Sequence, residues 1–114
     1  MVLRNGPVDG AANTAESYRI AVGDTLYLQG VDTAGTFYAT RSTLQLLHRS
    51  TTIPGGTVTD WPDYRERSLM LDVGREFMPV GMLRDQIRRM AQLELNLLHL
   101  HFSSSCPRWT SRAI

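Results

Sequence analysis

The sequence predicts an α/β chain built from two dissimilar pieces. Three observations carry this. A tight-turn dipeptide, Gly23-Asp24, separates two short alternating runs. A helix with a polar cap follows them. After a proline-containing break, an apolar run, a helical stripe and a second apolar run come in the order of a parallel strand–helix–strand unit.

Residues 1–17 are rich in Gly, Ala, Asn and Asp and read as a loop or a frayed start. The first strand is expected over 18–22, where Tyr18, Ile20 and Val22 share a face. The second is expected over 25–29, with Leu26 and Leu28 on one face. Asp32-Thr33 can cap a helix beginning near Ala34. Phe37, Thr40, Leu44 and Leu47 recur at helical spacing and are expected to form its buried stripe. The Thr51-Thr52-Ile53-Pro54-Gly55-Gly56 cluster should stop the helix, and residues 57–60 can form a short strand. Residues 61–66 read as a linker, because Pro62 holds its predecessor extended.

The second half begins with Ser68-Leu69-Met70-Leu71-Asp72-Val73, a short apolar run ending in polar residues. Pro79 stands where a first helical turn tolerates it. Leu83, Ile87, Met90 and Ala91 form one helical stripe, with Arg84, Asp85, Arg88 and Arg89 mostly off it. Leu95-Asn96-Leu97-Leu98-His99-Leu100-His101-Phe102 is the second strand-length run. Near-continuous apolar strands of this kind suit a sheet buried on both faces.

Composition narrows the function classes. With 42% hydrophobic and 20% charged residues, the chain is neither disordered nor strongly charged. A formal charge of +1 gives no reason to expect nucleic acid or an acidic membrane as partner. No apolar run reaches the roughly 18 residues of a membrane span, and the N-terminus lacks the apolar stretch of a signal peptide. The compartment is left open. Cys106 is the single cysteine, which excludes an internal disulfide and a cysteine-based metal cluster; no base is positioned to activate it. His99 and His101 share a strand face, but a third ligand is not evident, so no metal and no cofactor are expected. No glycine-rich loop follows the strand at 69–72, which argues against a nucleotide binder. Asp24, Asp60, Asp63 and Glu66 lie in turn and linker segments and read as solvated rather than as a catalytic carboxylate pair.

Three blocks carry a resemblance. Arg67-Ser68-Leu69-Met70-Leu71-Asp72-Val73-Gly74-Arg75-Glu76-Phe77-Met78-Pro79 resembles the opening of the catalytic barrel of family-20 glycoside hydrolases, the β-N-acetylhexosaminidases. Leu95-Asn96-Leu97-Leu98-His99-Leu100-His101-Phe102 is similar to that barrel's second strand, with its His-x-His. Asp32-Thr33-Ala34-Gly35-Thr36-Phe37-Tyr38-Ala39 through Leu44-Gln45-Leu46-Leu47 resembles the last helix of the family's accessory α/β domain. The three agree in order and spacing over about residues 18–102. The resemblance implies an accessory-domain end at 18–60, a linker at 61–66, and the first βαβ unit of an incomplete (β/α)8 barrel at 67–102. A complete barrel takes roughly 250 residues.

It also implies roles. Arg75 matches the arginine that grips hydroxyls of the terminal N-acetylhexosamine, Asp72 a strand-end aspartate that orients arginine, and His101 a histidine of the site's hydrogen-bond network. The implied mechanism is retaining hydrolysis with the substrate's own 2-acetamido oxygen as nucleophile. Its Asp-Glu pair follows the fourth barrel strand, so no catalytic residue is expected in this chain, and the chain itself is expected to be inactive. The partner implied for the parent enzyme is an N-acetylhexosamine-containing glycan. Hexosaminidase and the disaccharide-releasing lacto-N-biosidase both remain open, as does a non-catalytic carbohydrate-binding or self-associating module. Parent enzymes of this family are often secreted, periplasmic or lysosomal. Residues 103–114 depart from the family pattern, with Ser104 and Ser105 where an Asp pair is usual, and read as a divergent tail or a disrupted frame.

Overall fold

The computed structural model describes residues 1–12 and 14–102. Met1–Arg65 and Glu66–Ile114 form two compact units. The expected features of residues 103–114, Ser104, Ser105 and Cys106 among them, lie outside the described residues.

The first unit is a four-stranded mixed sheet carrying one helix. Its strands are β1 (Val2–Asn5), β2 (Tyr18–Val22), β3 (Leu26–Gly30) and β4 (Gly56–Asp60), in the order β1-β3-β2-β4. β2 runs antiparallel to β3 and β4, and β1 runs parallel to β3. β1 corrects the reading of residues 1–17 as a loop. Among the described residues it pairs with β3 alone, more than twenty residues on, so no local turn signal announces it. The β2–β3 turn is also longer than expected. Val22 pairs with Leu26, leaving Gly23, Asp24 and Thr25 as a three-residue loop.

The helix α1 (Thr33–Arg49) is capped as expected: Asp32 Oδ1 accepts from the Gly35 N–H at 2.7 Å. Its other carboxylate oxygen accepts from the Glu16 N–H at 3.1 Å, which ties the loop before β2 to the helix start. His48 and Arg49 occupy the last turn, where positive charge suits the helix dipole. The buried face, however, is Gly35, Tyr38, Ala39 and Thr43. Phe37, Leu44 and Leu47 are more than 40% exposed, so the expected stripe is wrong by about one position. The reason is close approach. A β-carbon on Gly30 would lie 2.1 Å from the Thr36 nitrogen, and one on Gly35 would lie 2.4 Å from the Ser17 carbonyl oxygen. Small residues must face the sheet there.

Tyr18, Ile20, Leu28, Tyr38 and Ala39 form the core of this unit. Ile20 and Leu28 are each 1% exposed, and burying such a side chain stabilises by about 1.5–3 kcal/mol. The Tyr18 hydroxyl closes the core's polar end, bonding Ser42 Oγ at 2.7 Å and donating to Asp60 Oδ2 at 3.0 Å.

The second unit is a strand–helix–strand: β5 (Ser68–Asp72), α2 (Val80–Gln92) and β6 (Leu97–His101), with β5 and β6 parallel. Pro79 stands just before α2 as its cap residue, one position earlier than expected. Glu94, at φ 57°, ends the helix in the left-handed region, and the Leu95 N–H returns to the Met90 carbonyl at 2.9 Å. Leu69, Leu71, Leu98 and Leu100 are partly covered, while Met70 and Leu97 on the other face are 62% and 44% exposed. Of the expected α2 stripe only Met90 is fully buried, and Ile87 is 51% exposed.

Candidate functional site

The register of β5 and β6 assembles the candidate site. Asp72 pairs with His101 and Met70 with His99, so these four side chains stand on one face, with Asp72 and His101 level at the C-terminal strand ends. In parallel α/β architectures, binding groups collect at that end.

Asp72 organises the loop that follows. Its Oδ1 accepts from the Gly74 N–H at 3.1 Å and the Arg75 N–H at 3.2 Å, an Asx-type turn. Its Oδ2 accepts from the Arg75 Nε–H at 2.5 Å. The ladder continues past β5, as the Val73 and Gly74 N–H groups both donate to the His101 carbonyl, at 3.0 and 3.2 Å. One carboxylate thus fixes both the backbone and the guanidinium of Arg75. Partial desolvation pushes the Asp72 carboxyl up. The Arg75 side-chain bond, the Arg75 backbone N–H, the guanidinium charge and the Gly74 N–H together outweigh it and hold the carboxyl below its ordinary range.

Among the described residues the Arg75 side chain is held at Nε. Its side chain is 82% exposed against 19% for Asp72, so the terminal guanidinium nitrogens face outward with their donors available. The His101 imidazole is exposed on the same face and hydrogen-bonds to neither Asp72 nor Arg75 among the described residues. The structure therefore brings Asp72 and Arg75 together and leaves His101 beside them. No group of three or more potential metal ligands occurs among the described residues.

The opposite end of the strand pair holds a brace. The Arg67 N–H donates to Asn96 Oδ1 at 3.0 Å, the Asn96 N–H returns to the Arg67 carbonyl at 2.9 Å, and Arg67 Nε donates to the Glu94 carbonyl at 2.7 Å. Asn96 and Gly74 had no role assigned from the sequence. An asparagine one residue before a strand is the signal available for the first. The second acts through its backbone and leaves no side-chain signal.

Comparison with known proteins decides the family. Residues 2–61 match glycosyl hydrolase family 20, domain 2, and residues 64–106 match the catalytic domain of the same family. The chain belongs to glycosyl hydrolase family 20. Both matches run past the limits inferred from the sequence. One takes in β1, and the other continues beyond Phe102.

Family-20 relatives agree in sequence and in fold. The chain is 30% identical over 102 residues to an N,N'-diacetylchitobiase of Vibrio harveyi, covering 85% of this chain and 12% of the relative. It is 35% identical over 88 residues to β-hexosaminidase B of Pseudoalteromonas piscicida, covering 75% and 11%. A mutant Streptomyces plicatus β-hexosaminidase solved in complex with product GlcNAc superposes with a TM-score of 0.75 at 32% identity, covering 89% of this chain and 22% of that one. The chain thus spans between about a tenth and about a quarter of the length of these family-20 proteins. It holds the family's domain 2 followed by the start of its catalytic domain.

Proposed function

We propose that this chain is the part of a β-N-acetylhexosaminidase that runs from the accessory domain (residues 18–60, with β1 added) through a linker at 61–66 into the first strand–helix–strand of the catalytic barrel at 67–102. The parent enzyme removes terminal N-acetylhexosamine from glycans or chito-oligosaccharides by retaining, substrate-assisted hydrolysis. Arg75 binds hydroxyls of the terminal sugar, Asp72 positions Arg75, and His101 joins the polar network around them.

The observation that carries this reading is the clasp at the C-terminal end of β5. A guanidinium fixed at one nitrogen, with its 82% exposed side chain open at the others among the described residues, offers a rigid fork of donors, which suits two adjacent hydroxyls. The product complex of the Streptomyces plicatus relative supports the class of sugar. No Asp-Glu dipeptide occurs in the 114 residues, so the acid and the acetamido-orienting group come from elsewhere in the parent.

The test is a chimera in which residues 67–102 replace the matching segment of the Streptomyces plicatus enzyme. It should hydrolyse an aryl N-acetylglucosaminide, and Arg75→Ala within it should lower kcat/KM at least about 100-fold, the loss of two charged hydrogen bonds. An active chimera indifferent to that substitution refutes the role of Arg75. The purified 114-residue chain should show no hydrolysis, and measurable turnover would refute its inactivity.

A further inference from the structure

The outer face of the four-stranded sheet, opposite α1, carries a second constellation that the hydrolase reading does not use. Register places Arg4 beside Gln29 and Gln29 beside Arg19, so the three side chains form one row across β1, β3 and β2. The next row on the same face brings Tyr27 beside Ala21. With strands about 4.8 Å apart, the two arginine Cα atoms lie roughly 10 Å from each other. These residues, with Leu28, line a depression of about 190 Å³, room for a single sugar ring.

Three details give the depression chemical character. The Arg4 guanidinium lies 5.8 Å over the Tyr27 ring, which holds a cation at the rim. The Arg19 Nε–H is shielded from solvent and has no hydrogen-bond partner among the described residues. Arg19 reaches a carboxylate only at 3.9 Å, on the 96% exposed Asp9. The Arg19 side chain as a whole is 34% exposed, so its positive charge remains open to the depression. Gln29 donates its amide to the Pro7 carbonyl at 2.5 Å, which orients its own amide oxygen as a fixed acceptor.

We propose that this face binds a sugar carrying a carboxylate or sulfate group. Arg19 takes the anion through the Nη groups of its guanidinium, a charged pair of donors suited to carboxylate and sulfate oxygens. Arg4 adds the second positive charge. The exposed Tyr27 ring supplies an apolar surface for the sugar's C–H groups, and Gln29 accepts from a hydroxyl. The site involves no residue of β5 or β6, so its failure leaves the proposed hydrolase reading intact.

The test is a titration of the ¹⁵N-labelled 114-residue chain with D-glucuronate at low ionic strength, followed by NMR. Saturable shifts are expected at the Ala21, Tyr27 and Gln29 amides and at Arg19 Nε. Affinity should fall on the order of tenfold in Arg19→Gln and weaken as sodium chloride is raised. Arg4→Gln alters an exposed edge-strand side chain and decides the matter should Arg19→Gln fail to fold. An absence of saturable shifts, or equal affinity in the wild-type and variant chains, overturns the proposal. N-acetylglucosamine binding as tightly as glucuronate overturns the anion requirement. Inorganic sulfate binding as tightly overturns the assignment to a sugar.

Discussion

Replacing Gly35 with alanine sets two physical effects against each other. Gly35 sits in the first turn of α1, where alanine's helix propensity favours the substitution by at most about 1 kcal/mol. Against this, the new β-carbon would lie 2.4 Å from the Ser17 carbonyl oxygen and 3.1 Å from the Glu16 carbonyl carbon and oxygen. These are backbone atoms and cannot swing aside. The Ser17 carbonyl also accepts from the Val31 N–H at 2.9 Å, and the Ser17 hydroxyl donates to the Thr14 carbonyl at 2.7 Å, so the obstacle is held from both sides. Overpacking of this kind costs about 1–3 kcal/mol, and a displaced hydrogen bond about 1 more. The sterics win, and Gly35→Ala should destabilise the first unit by about 2 kcal/mol net. Urea unfolding followed by circular dichroism measures the change, and hydrogen exchange at the Ile20 and Leu28 amides assigns it to this unit. A variant as stable as the wild type, or more so, would refute the close-approach argument and show that propensity governs this turn.

Other consequences follow from single contacts. Asp32→Ala removes the α1 cap and its bond to Glu16 together, and should cost about 2 kcal/mol by the same unfolding assay. Tyr18→Phe keeps the buried ring but deletes the hydroxyl shared by Ser42 and Asp60; a loss of about 1–2 kcal/mol is expected in thermal or urea melts. The Asp72 clasp should depend on pH in one direction. A carboxylate whose folded-state pKa is lowered contributes stability above its unfolded value, near 3.8, and loses it as pH falls through the lower folded value. The Arg75 Nε–H resonance should therefore hold steady down to about that pH and shift only below it, whereas Asp72→Asn should abolish the transition.

The sequence disclosed strands and helices where the signals were local. Gly23-Asp24 marked the hairpin, Asp32 marked the start of α1, and the β-branched and glycine cluster marked its end. It did not disclose β1, because four residues that pair only with a strand more than twenty positions away carry no period of their own. The α1 stripe failed for a different reason. Hydrophobic periodicity ranks residues by apolarity, and so selects Phe37, Leu44 and Leu47. The face that meets the sheet is set by the close backbone approach at Gly30 and Gly35, which turns Tyr38, Ala39 and Thr43 inward instead. Arg75 and Asp72 were picked out through motif resemblance. That Asp72 also binds two backbone N–H groups of its own loop was not visible without the geometry.

The exposure pattern of the second unit bears on what that unit is shaped for. A half-buried strand alternates apolar with polar residues, yet β5 reads Ser-Leu-Met-Leu-Asp and β6 reads Leu-Leu-His-Leu-His. Met70 and Leu97 present apolar surface on the face bearing Asp72 and His101, and Ile87 does so on α2. Exposed large hydrophobics such as these give up burial that would each stabilise by about 1.5–3 kcal/mol. That pattern belongs to parallel strands covered on both faces, with helices outside and side-chain layers within. The same face ends in the clasp of Asp72 and Arg75. Further strands closing around β5 and β6 would cover the apolar surface and leave the polar strand ends open, which is the arrangement the proposed reading of the parent enzyme requires.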